Sequence, residues 1–556
     1  MEFLFVTIAL LIFMAFVFAL EFFRAKKKKA EFREKIRTGY LQLNEKKYAP
    51  ERYVRIRSYY LKHRDDRCID DITWNDLDMD DVFKRMNYTL SATGEEYLYH
   101  KLHALSQNRE ELDHYEEMIQ YLEEHTELRT ELQFIFSKLG YTGKFSLYDY
   151  IDNLDYLGEM SNKKHVIPNL LFLPLIAFGF VNFPLAVCAI IVLMVYQIVN
   201  YYRYKADVDP YITSFAYIIR LLEVCDELEK VSYAPAAEEM KRIKQYQKDL
   251  NPMRRNSFWL LFCYGATTTE IFTMLLDYIR MVFHIDLIKF NSMLRVVRGH
   301  IEEIDGLITE VGYLESVVCT WIYRKSLDAY CMPEFVEEDR ISMTEAYHPL
   351  LTDPVKNSID ANRGVLLTGS NASGKSTFLK TVAINAILAQ SIHTCAADSY
   401  RGGFFRVFSS MALRDDLSGG DSYYIVEIKA LKRILEAAEE DKGTVLCFVD
   451  EVLRGTNTVE RVAASSQILE SLGDNVLCFA ATHDIELTSL LESSYDNYHF
   501  EEEVADGDVR FNYRLQTGKA TTRNAIRLLE LMGYPGEIIE KAAKRAENFV
   551  NTGVWQ

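Results

Sequence analysis

The segment Gly369-Ser370-Asn371-Ala372-Ser373-Gly374-Lys375-Ser376 constrains this chain more than any other. It fits G-x-x-x-x-G-K-[ST], follows the β-rich run Val365-Leu366-Leu367 and opens a stretch of helical texture from Thr377 to Ala389. A strand that turns through glycines into a helix lets backbone amides wrap phosphates, and the dipoles at the helix start favour negative charge. In that arrangement Lys375 reaches the outer phosphates, Ser376 ligates Mg2+ and Thr377 continues the first helical turn. The loop is therefore expected in an α/β domain with a parallel sheet covered by helices.

Two further apolar runs carry the groups such a site needs. Val445 to Val449 reads as a buried strand and ends in Asp450-Glu451. An aspartate at that strand end suits a Mg2+ ligand, and the next carboxylate can orient or deprotonate an attacking water. Val476 to Phe479 leads into Ala480-Ala481-Thr482-His483-Asp484. An imidazole there can donate and accept, so His483 can sense a terminal phosphate or position water. ATP and Mg2+ are the expected ligands, Glu451 and His483 the catalytic candidates, and hydrolysis to ADP and phosphate the expected reaction.

Taken in order, these motifs resemble the ATPase of the MutS mismatch-repair family. The resemblance rests on Asn371 within the loop, on Asp450 to Thr458 (DEVLRGTNT) and on Ala481 to Thr488 (ATHDIELT). Arg414 to Glu427 (RDDLSGGDSYYIVE) resembles the family's signature segment, Tyr347-His348-Pro349-Leu350 its lead-in to the nucleotide, and Asp78 to Leu105 the start of its helical lever. The resemblance implies an ABC-like α/β fold that works as a homodimer with composite sites. It implies that Ser422 contacts the γ-phosphate on the partner subunit, that Arg454 to Thr458 line the seam, and that the C-terminal helices help dimerise. DNA binding is also what it implies. Three departures stand out. The chain before residue 66 leaves no room for the family's mismatch-reading domain. Asp421 and Tyr423 stand where the signature usually has arginine and threonine. Leu453 stands where a glycine follows the two acids.

Outside the ATPase the chain reads as helical and membrane-associated. Phe3 to Leu20 is uncharged and is followed by Arg24, Lys26, Lys27, Lys28, Lys29, Arg33, Lys35 and Arg37. That order places the N-terminus outside and the rest in the cytoplasm. Val166 to Tyr202 is a second uncharged region, with Asn182-Phe183-Pro184 as a turn and lysine or arginine on both flanks, which suits a helical hairpin. Whether it spans or re-enters is open. The shorter run Ser257 to Thr269 reads as a core helix. Asp78 to Leu105, Tyr211 to Val231 and Phe290 to Ser316 have helical spacing. The expected division is a transmembrane helix (1–23), a basic linker (24–65), a helical lever (66–160 and 206–335) interrupted by a transmembrane hairpin (161–205), the ATPase domain (336–520) and a C-terminal helical dimerisation segment (521–556).

The formal net charge of −18 and pI of about 5.3 do not favour loose binding to nucleic acid, which depends on phosphate neutralisation. The nine cysteines include no C-x-x-C pair, so neither a zinc site nor a disulfide framework is expected. Three functions fit this reading. One is a membrane-tethered dimer switch with mismatched or structured DNA as a partner. The second is a membrane ATPase that moves its hairpin without DNA. The third is an ABC-type transport ATPase.

Overall fold

The three apolar runs of the C-terminal half become neighbouring strands of one sheet. The computed structural model describes residues 2–44, 46–142, 146–158, 160–254, 270–370, 373–411, 423–440, 442–453, 457–472, 476–505, 508–520, 526 and 533–552. Within these, the strands are β1 (Glu334–Phe335), β2 (Ile341–Ala346), β3 (Asn357–Ala361), β4 (Gly364–Thr368), β5 (Ser399–Gly402), β6 (Arg406–Ser410), β7 (Val445–Asp450), β8 (Val476–Thr482), β9 (Tyr495–Ala505) and β10 (Asp508–Thr517). The main sheet runs β10-β9-β4-β8-β7-β6, with β10 antiparallel to β9 and every other neighbouring pair parallel. A smaller sheet runs β1-β5-β2-β3.

Strands buried on both faces read as continuous apolar runs, which is why β4, β7 and β8 were visible in the sequence. One face packs Val445, Cys447, Val449, Cys478 and Ala480 against Leu431, Ile434 and Leu469 from the helices Tyr423–Glu439 and Thr458–Ser471, and against Leu472 just past the second helix. The helix Lys375–Ile392, buried along most of its length, packs against β6, β7 and β8. The unit that holds both sheets comprises Asp65–Arg85, Lys101–Tyr115 and Arg324–Gln556. Its two early segments are bonded into it. Asp76 accepts from Ser409 Oγ at 2.7 Å and from the Met411 amide at 2.9 Å, and Lys380 donates to Asp78 at 2.6 Å. The Ser106 amide donates to the Gln390 carbonyl at 3.0 Å.

The other unit comprises Met1–Arg64, Met86–His100 and Glu116–Tyr323, and its described residues are helical with no strand. Two of the expected long helices are broken. The spacing over Asp78 to Leu105 is split into Met79–Met86 and Ala92–His103. Between them the Asn87 side chain accepts from the Thr89 amide at 3.3 Å, and Ser91 Oγ accepts from the Gly94 amide at 2.9 Å. Short polar side chains that bond the backbone locally compete with helix. The stretch Phe290 to Ser316 falls into Ile285–Gly299 and Ile301–Ser326, parted at His300. Tyr211 to Leu228 is the end of one 46-residue helix that starts at Phe183.

That long helix begins at the expected turn. Asn182 Oδ1 accepts from the Leu185 amide at 3.3 Å, and Pro184 occupies the first turn, where a missing N–H costs nothing. Its apolar part, Phe183–Asp209, is the one described helix long and apolar enough to cross a membrane, with a mean hydropathy of 2.2 and 11% of the window buried. The preceding arm is two short helices, Lys163–Leu170 and Phe172–Phe178, of 8 and 7 residues. With Leu171 between them they rise about 24 Å, less than a bilayer core. Gln197 Nε2 ties the arms by donating to Asn169 Oδ1 at 2.8 Å, and Asn169 Nδ2 donates to the carbonyl of Phe283, the end of the helix Glu270–Phe283, at 2.7 Å. The N-terminal run lies in the helix Glu2–Thr38. Ser257 to Thr269 lies outside the described residues, as do Asn371, Ala372, Arg454 to Thr456, the segment 412–422 that includes Ser422, and much of 521–532.

Candidate nucleotide site

Parallel sheets gather their functional loops at the carboxyl ends of the strands. Here the ends are level. Thr368 of β4 pairs with Thr482 of β8, and Asp450 of β7 pairs with Ala481 of β8. The residues that follow each strand therefore meet: the glycine loop after β4, Glu451 after β7 and His483 after β8.

The glycine loop has the backbone its sequence requires. Gly369 and Gly374 have φ of +147° and +109°, and a Cβ on Gly369 would stand 2.9 Å from the Phe500 carbonyl oxygen. Glycine is the residue that fits there. Lys375 Nζ donates to the carbonyls of Gly369 at 2.7 Å and Ser370 at 2.8 Å, which holds the ammonium at the loop. The Ser373 hydroxyl is buried and has no partner among the described residues. A buried hydroxyl with no acceptor is costly, and a phosphate oxygen would satisfy it. Ser376 Oγ donates to Asp450 Oδ2 at 2.5 Å, so a hydroxyl and a carboxylate share one spot at the helix start. Hard oxygen donors of that kind suit Mg2+. The orphaned hydroxyl, the glycine cradle and this donor pair fit a magnesium nucleotide.

On the hydrolytic side, His483 Nε2 lies 2.8 Å from Glu451 Oε1. Both line a cavity of about 240 Å³ together with Thr482, Arg461 and Asp484. Arg461 clamps Asp484 through two bonds of 2.8 and 2.6 Å, and the Asp484 amide donates to Thr482 Oγ1 at 3.0 Å. The loop that carries His483 is thus fixed from both ends. On the opposite side of the glycine loop a cleft of about 370 Å³ is lined by Gly374, Thr377, Phe378, His348, Phe500 and Tyr513. Burial, helped by the nearby Lys380 ammonium, lowers the His348 pKa to about 4, so this imidazole is neutral at physiological pH.

Of the residues picked from sequence, Gly369, Ser370, Ser373, Gly374, Lys375, Ser376, Asp450, Glu451 and His483 come together here, and Thr377 faces the neighbouring cleft. Asn371, Ala372 and Ser422 lie outside the described residues. Sequence reasoning did not single out Arg461, which is too far along the chain from Asp484 to be read as its partner. It also gave no role to Glu427, a buried carboxylate in phase with the apolar stripe Ala430, Leu431, Ile434 and Ala437. A charged residue on a buried face was the available signal.

Residues 365–550 match the sequence profile of MutS domain V. Over this C-terminal stretch the chain is similar to the MutS family. It is 33% identical over 279 residues to the DNA mismatch repair protein MutS 2 of Haloarcula marismortui, a match that covers 44% of this chain and 29% of that protein. It is 31% identical over 262 residues to the DNA mismatch repair protein MutS of Pseudothermotoga lettingae, covering 44% of this chain and 32% of that protein. The chain thus spans about a third or less of the length of these MutS relatives, and the profile match contains the glycine loop, Asp450, Glu451 and His483.

Proposed function

We propose that this chain is a membrane-tethered, Mg2+-dependent ATPase that hydrolyses ATP to ADP and phosphate and works as an ATP-driven dimer switch. The observation that carries the reading is the convergence of Lys375, the Ser376–Asp450 pair and the Glu451–His483 pair at the ends of three adjacent strands. Lys375, the loop amides and the Ser373 hydroxyl bind the phosphates of the substrate. The base occupies the cleft beside Gly374 and Thr377, where Phe378, Phe500 and Tyr513 supply apolar surface and His348 a neutral imidazole. Glu451 takes a proton from the attacking water, and His483, held against it, orients that carboxylate and the water. Ser376 and Asp450 would hold Mg2+, which when bound neutralises charge on the phosphates. By the family resemblance Ser422 completes the site of a second copy.

Tethering is supported by the apolar hairpin. Phe180, Val181, Phe183, Val192 and Val199 are exposed on it, and Lys163, Lys164, Arg203 and Lys205 bracket it. Exposed apolar surface of that extent is a membrane or protein contact. With positive charge on both flanks, a bilayer whose cytoplasmic side holds the ATPase is the better fit. A DNA partner is favoured by a different observation, the mismatch-repair names of the relatives. The first test is phosphate release by the full chain in detergent with and without Mg2+, against Lys375→Ala. Release that is Mg2+-independent or survives in that variant overturns the assignment. Binding of homoduplex, mismatched and branched DNA across a salt series tests the second reading, which predicts a steep salt slope.

A further inference from the structure

The turn after β7 is built in an unusual way. Glu451 and Leu453 both have positive φ, +62° and +59°, and neither is glycine. Side chains with a Cβ resist this left-handed region, so surrounding contacts must impose it. Those contacts are identifiable. The Glu451 amide donates to the Ala481 carbonyl at 2.9 Å, and the Val452 carbonyl accepts from Ser465 Oγ at 3.3 Å. The Leu453 side chain is buried in the core beneath the sheet. The fourth contact is the Leu453 amide, which donates to Glu427 Oε1. Glu427 is 2% exposed and sits on the helix Tyr423–Glu439. Burying a carboxylate in an apolar core is unfavourable unless it makes strong bonds, and here one such bond is to the turn that presents Glu451.

We infer that Glu427 is a positioning residue for hydrolysis: by accepting the Leu453 amide it holds the left-handed turn that aims the Glu451 carboxylate at His483 and the adjoining cavity. Its place at the end of the signature-like segment, on the helix that opens within that segment, gives the bond a second consequence. A displacement of that helix moves Leu453, and with it Glu451. The inference rests on Glu451 being the water-activating group.

The test compares Glu427→Gln, Glu427→Asp and Glu427→Ala in the full chain, with Glu451→Gln as a control, measuring kcat and the Kd of a fluorescent ATP analogue. A glutamine oxygen still reaches the Leu453 amide, so Glu427→Gln should keep kcat within about threefold of the parent. Aspartate keeps the charge but withdraws the acceptor by one methylene, so Glu427→Asp should lose about 10- to 100-fold in kcat with Kd changed by less than about threefold, as displaced catalytic groups do. Glu427→Ala should behave like Glu427→Asp. Adding Leu453→Gly to Glu427→Asp should recover part of the loss, because glycine accepts the turn without restraint. If the aspartate variant is normal and the glutamine variant is impaired, charge rather than the held turn matters and the inference falls. It falls equally if kcat and Kd deteriorate together, or if Glu427→Asp and Glu427→Ala both leave kcat unchanged while Glu451→Gln abolishes it. Unchanged turnover in Glu451→Gln would instead overturn the role of Glu451 itself. Should the alanine variant not fold, the glutamine and aspartate pair still decides.

Discussion

His483 Nε2 stands 2.8 Å from Glu451 Oε1, although the two residues follow different strands and lie 32 positions apart. The register of β7 and β8 brings them together, since Asp450 is level with Ala481. The imidazole fixes one carboxylate oxygen. Replacing Glu451 by glutamine preserves size and a hydrogen-bonding oxygen but removes the base. Glu451→Gln should therefore bind ATP within about threefold of the parent and lose at least about 100-fold in kcat, the usual scale for a general base. A phosphate-release assay with parallel nucleotide titration checks both halves, and a raised Kd with a normal kcat would reassign the residue to binding.

Hydrolysis should require two copies. Ser422, by the family resemblance, serves the nucleotide held by the partner's loop, while Lys375 serves its own. Neither a Ser422→Ala chain nor a Lys375→Ala chain should turn over alone. Each mixed dimer regains one intact composite site of two, so a randomly mixed 1:1 sample should reach about a quarter of parental activity. Activity that stays absent on mixing, or that is insensitive to dilution in the parent, would mean the site is not shared.

Much of the nucleotide site was legible because each part is local. A buried parallel strand is an apolar run, a glycine loop is a fixed pattern, and the acids and the histidine directly follow their strands. What depends on distant contacts was hidden. The break between Met86 and Ala92 is held by the Glu315 carboxylate, which accepts from the Leu90 and Ser91 amides from more than two hundred residues away. Asp76 bonds Ser409 and Met411 at a similar remove, so helical spacing alone did not reveal that residues 65–85 pack with the sheet. Periodicity records which face is buried, not what buries it.

Two adjacent carboxyls in the helical unit should make stability depend on pH. Burial would raise the pKa of Glu95, but Lys46, Arg52 and Arg55 outweigh it and the group is held below the usual range. At Glu96, one residue on, burial outweighs the pull of Arg55. Burial lifts it to about 8, against a 2.7 Å bond from Ser146 Oγ. A folded pKa above the unfolded value of 4.5 means the contribution is fully present below about pH 4.5 and is lost as pH rises towards 8. The slope is about 1.4 kcal/mol per pH unit at most. Glu96→Gln copies the protonated acid, so its Tm should equal the parent's near pH 4.5 and exceed it increasingly up to pH 8. A Tm difference that is flat over that window would show that Glu96 does not titrate there.

The hairpin prediction joins attachment to motion. Alkaline carbonate removes peripheral proteins but not spanning helices, so the full chain should remain in the membrane pellet. Deleting residues 1–23 should leave it there, because Phe183–Asp209 is long enough to span by itself, at about 40 Å. Deleting both regions should release it. The apolar helix does not stop at the end of the hairpin but runs unbroken to Leu228, where Phe215, Ile219, Leu222 and Cys225 are buried in the helical unit. A continuous helix transmits displacement, so any ATP-driven shift of that buried half would carry the hairpin with it. For ATP to shift the hairpin, the two states must differ in free energy at that helix. Leu185 and Val199 are 59% and 63% exposed, so spin labels there perturb little packing. In a chain freed of native cysteines, their accessibility to lipid-phase and aqueous quenchers should differ between the Glu451→Gln chain loaded with ATP and the same chain without nucleotide. Equal accessibility at both positions would mean that the hairpin anchors the ATPase and does not move with it.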